Sequence, residues 1–112
     1  MIKRGDVYWV NLNPIEGSEI GKTRPAVVIS NDINNELADT ITILPITSSV
    51  EKIYPFEVFI PRGMANIPGD SKTKANQIRT VDKKRIKNLI GTVPDTILKE
   101  IERAVKIHLD FK

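Results

Sequence analysis

Apolar positions along this chain fall in short blocks broken by proline, glycine and small polar residues, and only the last block has a helical period. From Asp6 to Leu12 the β-formers Val7, Tyr8, Trp9, Val10 and Leu12 occupy both faces of an extended segment, the pattern of a central strand. Tyr8 and Trp9 could stack a base, but core packing is the expectation on a strand this apolar. Asn13-Pro14 ends the strand, and residues 15–23 form a polar loop containing Gly17 and Gly21. That loop is longer than a hairpin needs, and long ordered loops are often functional. Arg24 to Ser30 is the second strand; Pro25 is tolerated as an opening residue, and Ala26 to Ile29 is a buried β-branched run. Ile33 to Ala38 is read as one helical turn. Thr40 to Thr47 alternates as a third strand, with Pro45 implying an edge position or a bulge.

Phe56 to Ile60 predicts a fourth strand, with Phe56, Val58 and Ile60 on one face. Ser71 to Ala75 reads as a polar, exposed strand that Asn76 to Val81 continues or follows, and a period of two puts Gln77 and Arg79 on one face. Asp82 is an N-cap for a short basic helix holding Lys83, Lys84, Arg85 and Lys87, followed by a strand from Leu89 to Thr92. Pro94 and Asp95 suit the first turn of a closing helix whose stripe is Ile97, Leu98, Ile101, Ala104, Val105 and His108. The elements predict one mainly β (α+β) domain over residues 1–112, a small bent sheet or barrel with a C-terminal helix.

Composition narrows the function classes. With 40% hydrophobic and 28% charged residues, the chain is of ordinary globular type. No apolar run approaches the ~18 residues that span a bilayer, and no secretory pattern follows Met1, so a cytoplasmic protein without membrane attachment is expected. The absence of cysteine excludes disulfides, thiolate catalysis and cysteine-based zinc sites. A net charge of +3 tilts the chain toward a polyanionic partner. Aromatic content of 5% leaves no platform for stacking successive bases, so polar and charged groups must carry any nucleic-acid contact.

Candidate chemistry is sparse. His108 is the sole histidine, yet it lies on the apolar stripe of the last helix and reads as a packed or interface residue. One histidine and scattered carboxylates provide no metal site and imply no cofactor. The Lys83–Lys87 cluster reads either as a phosphate contact or as a solvated face. Arg24 stands where a polar loop meets a buried strand, a position open to a ligand phosphate or to an ordinary salt bridge. Thr47 ends a strand, as many threonines do. Gln77 with Arg79 fits a cleft or an exposed sheet face.

Three stretches together resemble the MazF/PemK toxins of bacterial type II toxin–antitoxin systems. They are Arg4-Gly5-Asp6-Val7-Tyr8-Trp9-Val10; Gly17-Ser18-Glu19 with Thr23-Arg24-Pro25-Ala26-Val27-Val28-Ile29-Ser30; and Pro45-Ile46-Thr47-Ser48 with Gln77-Ile78-Arg79-Thr80-Val81-Asp82. The likeness runs over essentially the whole chain in order and spacing. It implies an SH3-like β-barrel of the CcdB/PemK kind, assembled as a homodimer. It also implies a metal-independent endoribonuclease (mRNA interferase) that cuts single-stranded mRNA at short sequences and is neutralised by a cognate antitoxin.

By matching position Arg24 and Thr47 take the catalytic roles, and Glu19, Ser48, Gln77 and Arg79 lie at the RNA groove. Asn76 departs from the pattern, which often has an acidic residue before that glutamine. The implied chemistry is attack of the RNA 2′-hydroxyl on the adjacent phosphate, giving 2′,3′-cyclic phosphate and 5′-hydroxyl ends. A gyrase poison of the CcdB type is the rival reading, but such toxins use C-terminal Trp-Gly-Ile residues, whereas this chain ends His108-Leu109-Asp110-Phe111-Lys112. A catalytically silent RNA-binding barrel is the other.

Overall fold

The computed structural model describes residues 1–112. Seven antiparallel strands form one strongly bent sheet: β1 (Asp6–Asn11), β2 (Thr23–Val28), β3 (Thr40–Thr47), β4 (Glu57–Ile60), β5 (Ser71–Lys74), β6 (Arg79–Asp82) and β7 (Ile86–Thr92). Helix α1 (Asp32–Leu37) precedes β3, and α2 (Asp95–Leu109) closes the chain. The strand order is β4-β5-β3-β2-β1-β7, with β6 also paired to β3. β1 is central, as its two apolar faces predict, lying between β2 and β7. The sheet is open, because no ladder joins β4 to β7.

The two faces of β1, β2 and β3 bury separate cores, and the period of two assigns residues to each. Val7, Val27, Leu44 and Ile46 pack with Val58, Ile60, Ile101 and Ala104 beneath α2. Tyr8, Val10, Leu12, Ala26, Val28, Ile41 and Ile43 pack with Val81 on the other side. Each fully buried aliphatic side chain contributes about 1.5–3 kcal/mol. The second face changes character along its length. In β2 it runs Val28, Ala26, Arg24, and in the antiparallel β3 it runs Ile41, Ile43, Pro45, Thr47. Apolar packing at one end thus becomes a polar rim at the other.

Several local expectations are corrected. β3 is not an edge strand: it pairs with β2 on one side, and with β6 up to Ile43 and β5 from Ile46 on the other. Pro45 sits at the switch between those two partners, and its carbonyl accepts from Thr73 Oγ1 at 3.2 Å. A residue's N–H and C=O point to the same neighbour in a ladder, so the missing N–H faces the gap between β6 and β5. β5 is buried rather than exposed, since β3 and β4 flank it. Asn76 and Gln77 belong to a 3-10 turn (Ala75–Gln77) before β6, not to a continuing strand.

The basic helix is only a 3-10 turn (Lys83–Arg85), capped as expected by Asp82, whose carboxylate accepts from the Lys84 N–H at 2.8 Å. Ile86 and Lys87 already belong to β7, which starts three residues earlier than expected. Trp9 is 36% exposed because β1 carries it past the end of the first core, whereas Tyr8 is buried. His108 is exposed near the end of α2, its ring 6.5 Å from that of Phe56.

Candidate active site

The loop between β1 and β2 is held at both ends. At its neck the Leu12 N–H donates to the Lys22 carbonyl and the Lys22 N–H to Asn13 Oδ1, both at 2.9 Å. A Cβ at Gly21 would lie 2.6 Å from Asn13 Oδ1, so any larger residue there would push aside the side chain that accepts from Lys22. Across the loop, Gln77 Oε1 accepts from the Ile20 N–H at 3.2 Å, and Gln77 Nε2 reaches the Ser18 carbonyl at 3.5 Å. Arg79 donates to the Leu12 carbonyl at 2.7 Å, and Arg85 donates to the carbonyls of Asn11 and Asn13. Gln77 and Arg79 share one pocket with Ser18 and Glu19, brought there by the 3-10 turn and the start of β6 rather than by one strand, and their hydrogen bonds go to the loop backbone. Glu19 is exposed, and its Oε1 closes the loop's own turn by accepting from the Glu16 N–H at 2.8 Å.

Beside this loop lies a cleft of about 690 Å³, lined by Asn13, Ile15, Glu19, Lys22, Arg24, Thr47, Ser48, Lys72 and Lys74 among others. The cations Lys22, Arg24, Lys72 and Lys74 face a single carboxylate, Glu19. Arg24 and Thr47 meet here by register. Ala26 pairs with Pro45 across β2 and β3, and continuing that ladder by two residues sets Arg24 opposite Thr47. Arg24 is half-buried and its Nε donates to the Gly21 carbonyl at 3.0 Å, which aims the fork while its terminal nitrogens take no protein acceptor. Thr47 Oγ1 is the one buried side-chain polar atom without a hydrogen-bond partner. Such an orphan costs about 1–3 kcal/mol, so it stands out as an unmet binding capacity. Exposed Ser48 lines the same cleft. A neighbouring hollow joins Arg24, Thr47 and Ser48 to Trp9, Ile67 and Ser71.

Two lining residues escape sequence reasoning. Lys72 and Lys74 are set on one face by the alternation Ser71-Lys72-Thr73-Lys74, a signal that is present but concealed by the polar look of the strand. Trp9, expected in the core with base stacking as the other reading, lines the neighbouring hollow. The Glu57 carboxylate lies behind the lysines. Burial would push it up, but the Tyr54 N–H, the Lys72 ammonium and Lys74 together hold it below the ordinary carboxylate value. No group of three histidine, aspartate or glutamate side chains comes together as metal ligands.

Comparisons with known proteins place this chain and its fold in a class. The model of the PemK-like, MazF-like toxins of type II toxin–antitoxin systems matches residues 3–109. The chain belongs to that family, and its class is that of the toxin endoribonucleases. Endoribonuclease MazF9 of Mycobacterium tuberculosis is 39% identical over 99% of this chain and 98% of its own. The structure of MazF from Deinococcus radiodurans superposes with a TM-score of 0.86 at 27% identity, over 97% of this chain and 96% of that one. A MazE–MazF structure from the same organism gives 0.79 at 27% identity, covering 99% and 97%. No helix is long and apolar enough to cross a membrane.

Proposed function

We propose that this toxin domain cuts single-stranded mRNA in the cleft that holds Arg24 and Thr47, acting in the cytoplasm without a metal ion. The observation that carries this reading is the pairing of an orphaned, buried Thr47 hydroxyl with an aimed and uncommitted Arg24 guanidinium in one cationic cleft. RNA supplies its own nucleophile. The 2′-oxygen forms a bond to the adjacent phosphorus and loses its proton, the bond to the 5′-oxygen breaks, and that oxygen leaves protonated. The products are a 2′,3′-cyclic phosphate and a 5′-hydroxyl.

What the protein must add is alignment and charge stabilisation. The terminal nitrogens of Arg24 suit two non-bridging phosphate oxygens, and Thr47 Oγ1 donates to the same phosphate. A guanidinium is a donor with no accepting lone pair, so it stabilises charge rather than abstracting a proton. Ser48 and the Glu19 loop flank the bound strand. Gln77 and Arg79 serve specificity by fixing the loop that reads unpaired bases, with Asn76 at the mouth of the same pocket.

The family likeness also supports assembly as a homodimer. The MazE–MazF structure supports neutralisation by a cognate antitoxin, whose acidic segment would occupy the cationic cleft and exclude RNA. The test is to incubate a long single-stranded RNA in chelator with the protein, Arg24→Ala and Thr47→Ala. Discrete cuts bearing cyclic phosphate, lost in both variants, are expected. Wild-type cutting by a variant lacking both side chains would refute the assignment.

A further inference from the structure

The cleft holds a cationic element that neither Arg24 nor Thr47 accounts for. Lys72 stands directly opposite Thr47 in the β3–β5 ladder, and Lys74 opposite Glu57 in the β5–β4 ladder. Opposed residues put their side chains on one face, so Thr47, Lys72, Lys74 and Glu57 share it. The Glu57 side chain, 1% exposed, lies between the lysines: Oε1 is 3.0 Å from Lys72 Nζ and Oε2 is 3.6 Å from Lys74 Nζ.

The lysines differ in commitment. Lys72 is 8% exposed, and its ammonium also donates to the Lys52 carbonyl at 2.7 Å. Lys74 is 26% exposed, with only the longer contact to Glu57. One carboxylate neutralises one of two ammoniums. The surplus charge therefore falls on the looser, more exposed Lys74, in the cleft wall.

We propose that Lys74 binds an RNA phosphate flanking the scissile one, and that the buried Lys72–Glu57 pair positions it. The proposal rests on the reading that RNA occupies this cleft. Two strand spacings of about 4.8 Å separate β2 from β5, which puts Lys74 about 10 Å across the sheet from Arg24. Arg24 and Thr47 together occupy the non-bridging oxygens of the scissile phosphate, which leaves the neighbouring phosphate of the strand for Lys74. The Glu57 carboxylate limits the ammonium's swing without consuming its three donors.

The probe is a single-stranded RNA spanning a mapped cut, with a 2′-methoxy group on the attacking sugar so that it binds without being cleaved. Its affinity is measured across salt concentrations. For Lys74→Gln the slope of log K against log salt should shrink by about 0.7, the value for one lost phosphate contact on a single strand. Affinity should fall several-fold at low salt, with the thermal midpoint unchanged. Lys74→Arg should keep the wild-type slope, a rescue that a purely structural lysine has no reason to show.

Wild-type slope and affinity in Lys74→Gln, alongside lost cleavage in Arg24→Ala and Thr47→Ala, would overturn this inference and leave the cleft reading intact. Full cleavage by those two variants would bring down both.

Discussion

The loop between β1 and β2 is flanked by two sets of polar side chains of the same kinds, and the structure uses them in opposite ways. On one flank Gln77, Arg79 and Arg85 spend their hydrogen bonds on loop carbonyls and amides. On the other, Arg24 spends only Nε, and Thr47 Oγ1 spends nothing. A residue's type does not separate a clamp from a catalyst. The difference lies in whether the folded chain has already satisfied its donors. The first flank sets the shape of the cleft, and the second holds capacity in reserve for a ligand.

The widest contrast should come from exchanging one arginine on each flank for glutamine. In Arg24→Gln, single-turnover cleavage should fall about 10²–10³-fold, the scale of removing a preorganised charge stabiliser. Its unfolding free energy should fall by no more than about 1.5 kcal/mol, the low end for the single charged hydrogen bond from Nε to the Gly21 carbonyl. In Arg79→Gln the order reverses. Losing a charged donor to the Leu12 carbonyl should cost about 1.5–3 kcal/mol of stability, with the rate reduced less than about tenfold. Equal rate losses at equal stability would dissolve the distinction between the flanks.

This contrast also marks how far the residues alone could be read. The strands that alternate or run apolar were legible, as were the polar loop and the stripe of α2, because each obeys a local period. Arg24 and Thr47 entered through likeness to a family, since a loop-end arginine and a strand-end threonine are individually ordinary. The misreadings share one cause. Ser71 to Lys74 looks exposed because its residues are polar, yet flanking strands bury it and Glu57 offsets the lysine charge. Trp9 looks like core, yet it falls beyond the end of the packed layer. Gln77 and Arg79, which the family likeness puts at the RNA groove, hydrogen-bond loop atoms 57 and 67 residues away in sequence. Non-local pairing decided all of these, and local pattern carries no record of it.

Thr47 sharpens the same comparison at smaller amplitude. Its unpaired hydroxyl costs stability in the free protein, so Thr47→Val removes a penalty while keeping the branched shape. The expected outcome is opposite signs in two assays. The melting midpoint should rise by about 4 °C, corresponding to about 1 kcal/mol, while cleavage falls at least tenfold. A residue serving the fold would lose in both. A drop in melting midpoint would mean that the hydroxyl is satisfied in solution and that the reserve on this flank is smaller than the geometry indicates.

The smallest expected effect concerns Glu57, an acid as fully spent as Arg79. Burial opposes its charge, and the Tyr54 N–H, Lys72 and Lys74 overcome that opposition, so its folded pKa is lowered from 4.5. A carboxyl held lower in the folded state than in the unfolded chain stabilises the fold above its unfolded pKa. That contribution disappears as pH falls through the folded value. Urea midpoints followed from pH 7 to about pH 3 should therefore drop more steeply for the wild type than for Glu57→Gln, with the two curves converging in acid. The opposing causes keep the difference modest. Parallel curves would show that Glu57 is not the acid on which the lysines depend, and Lys74 would then owe its place in the cleft to the β5 backbone alone.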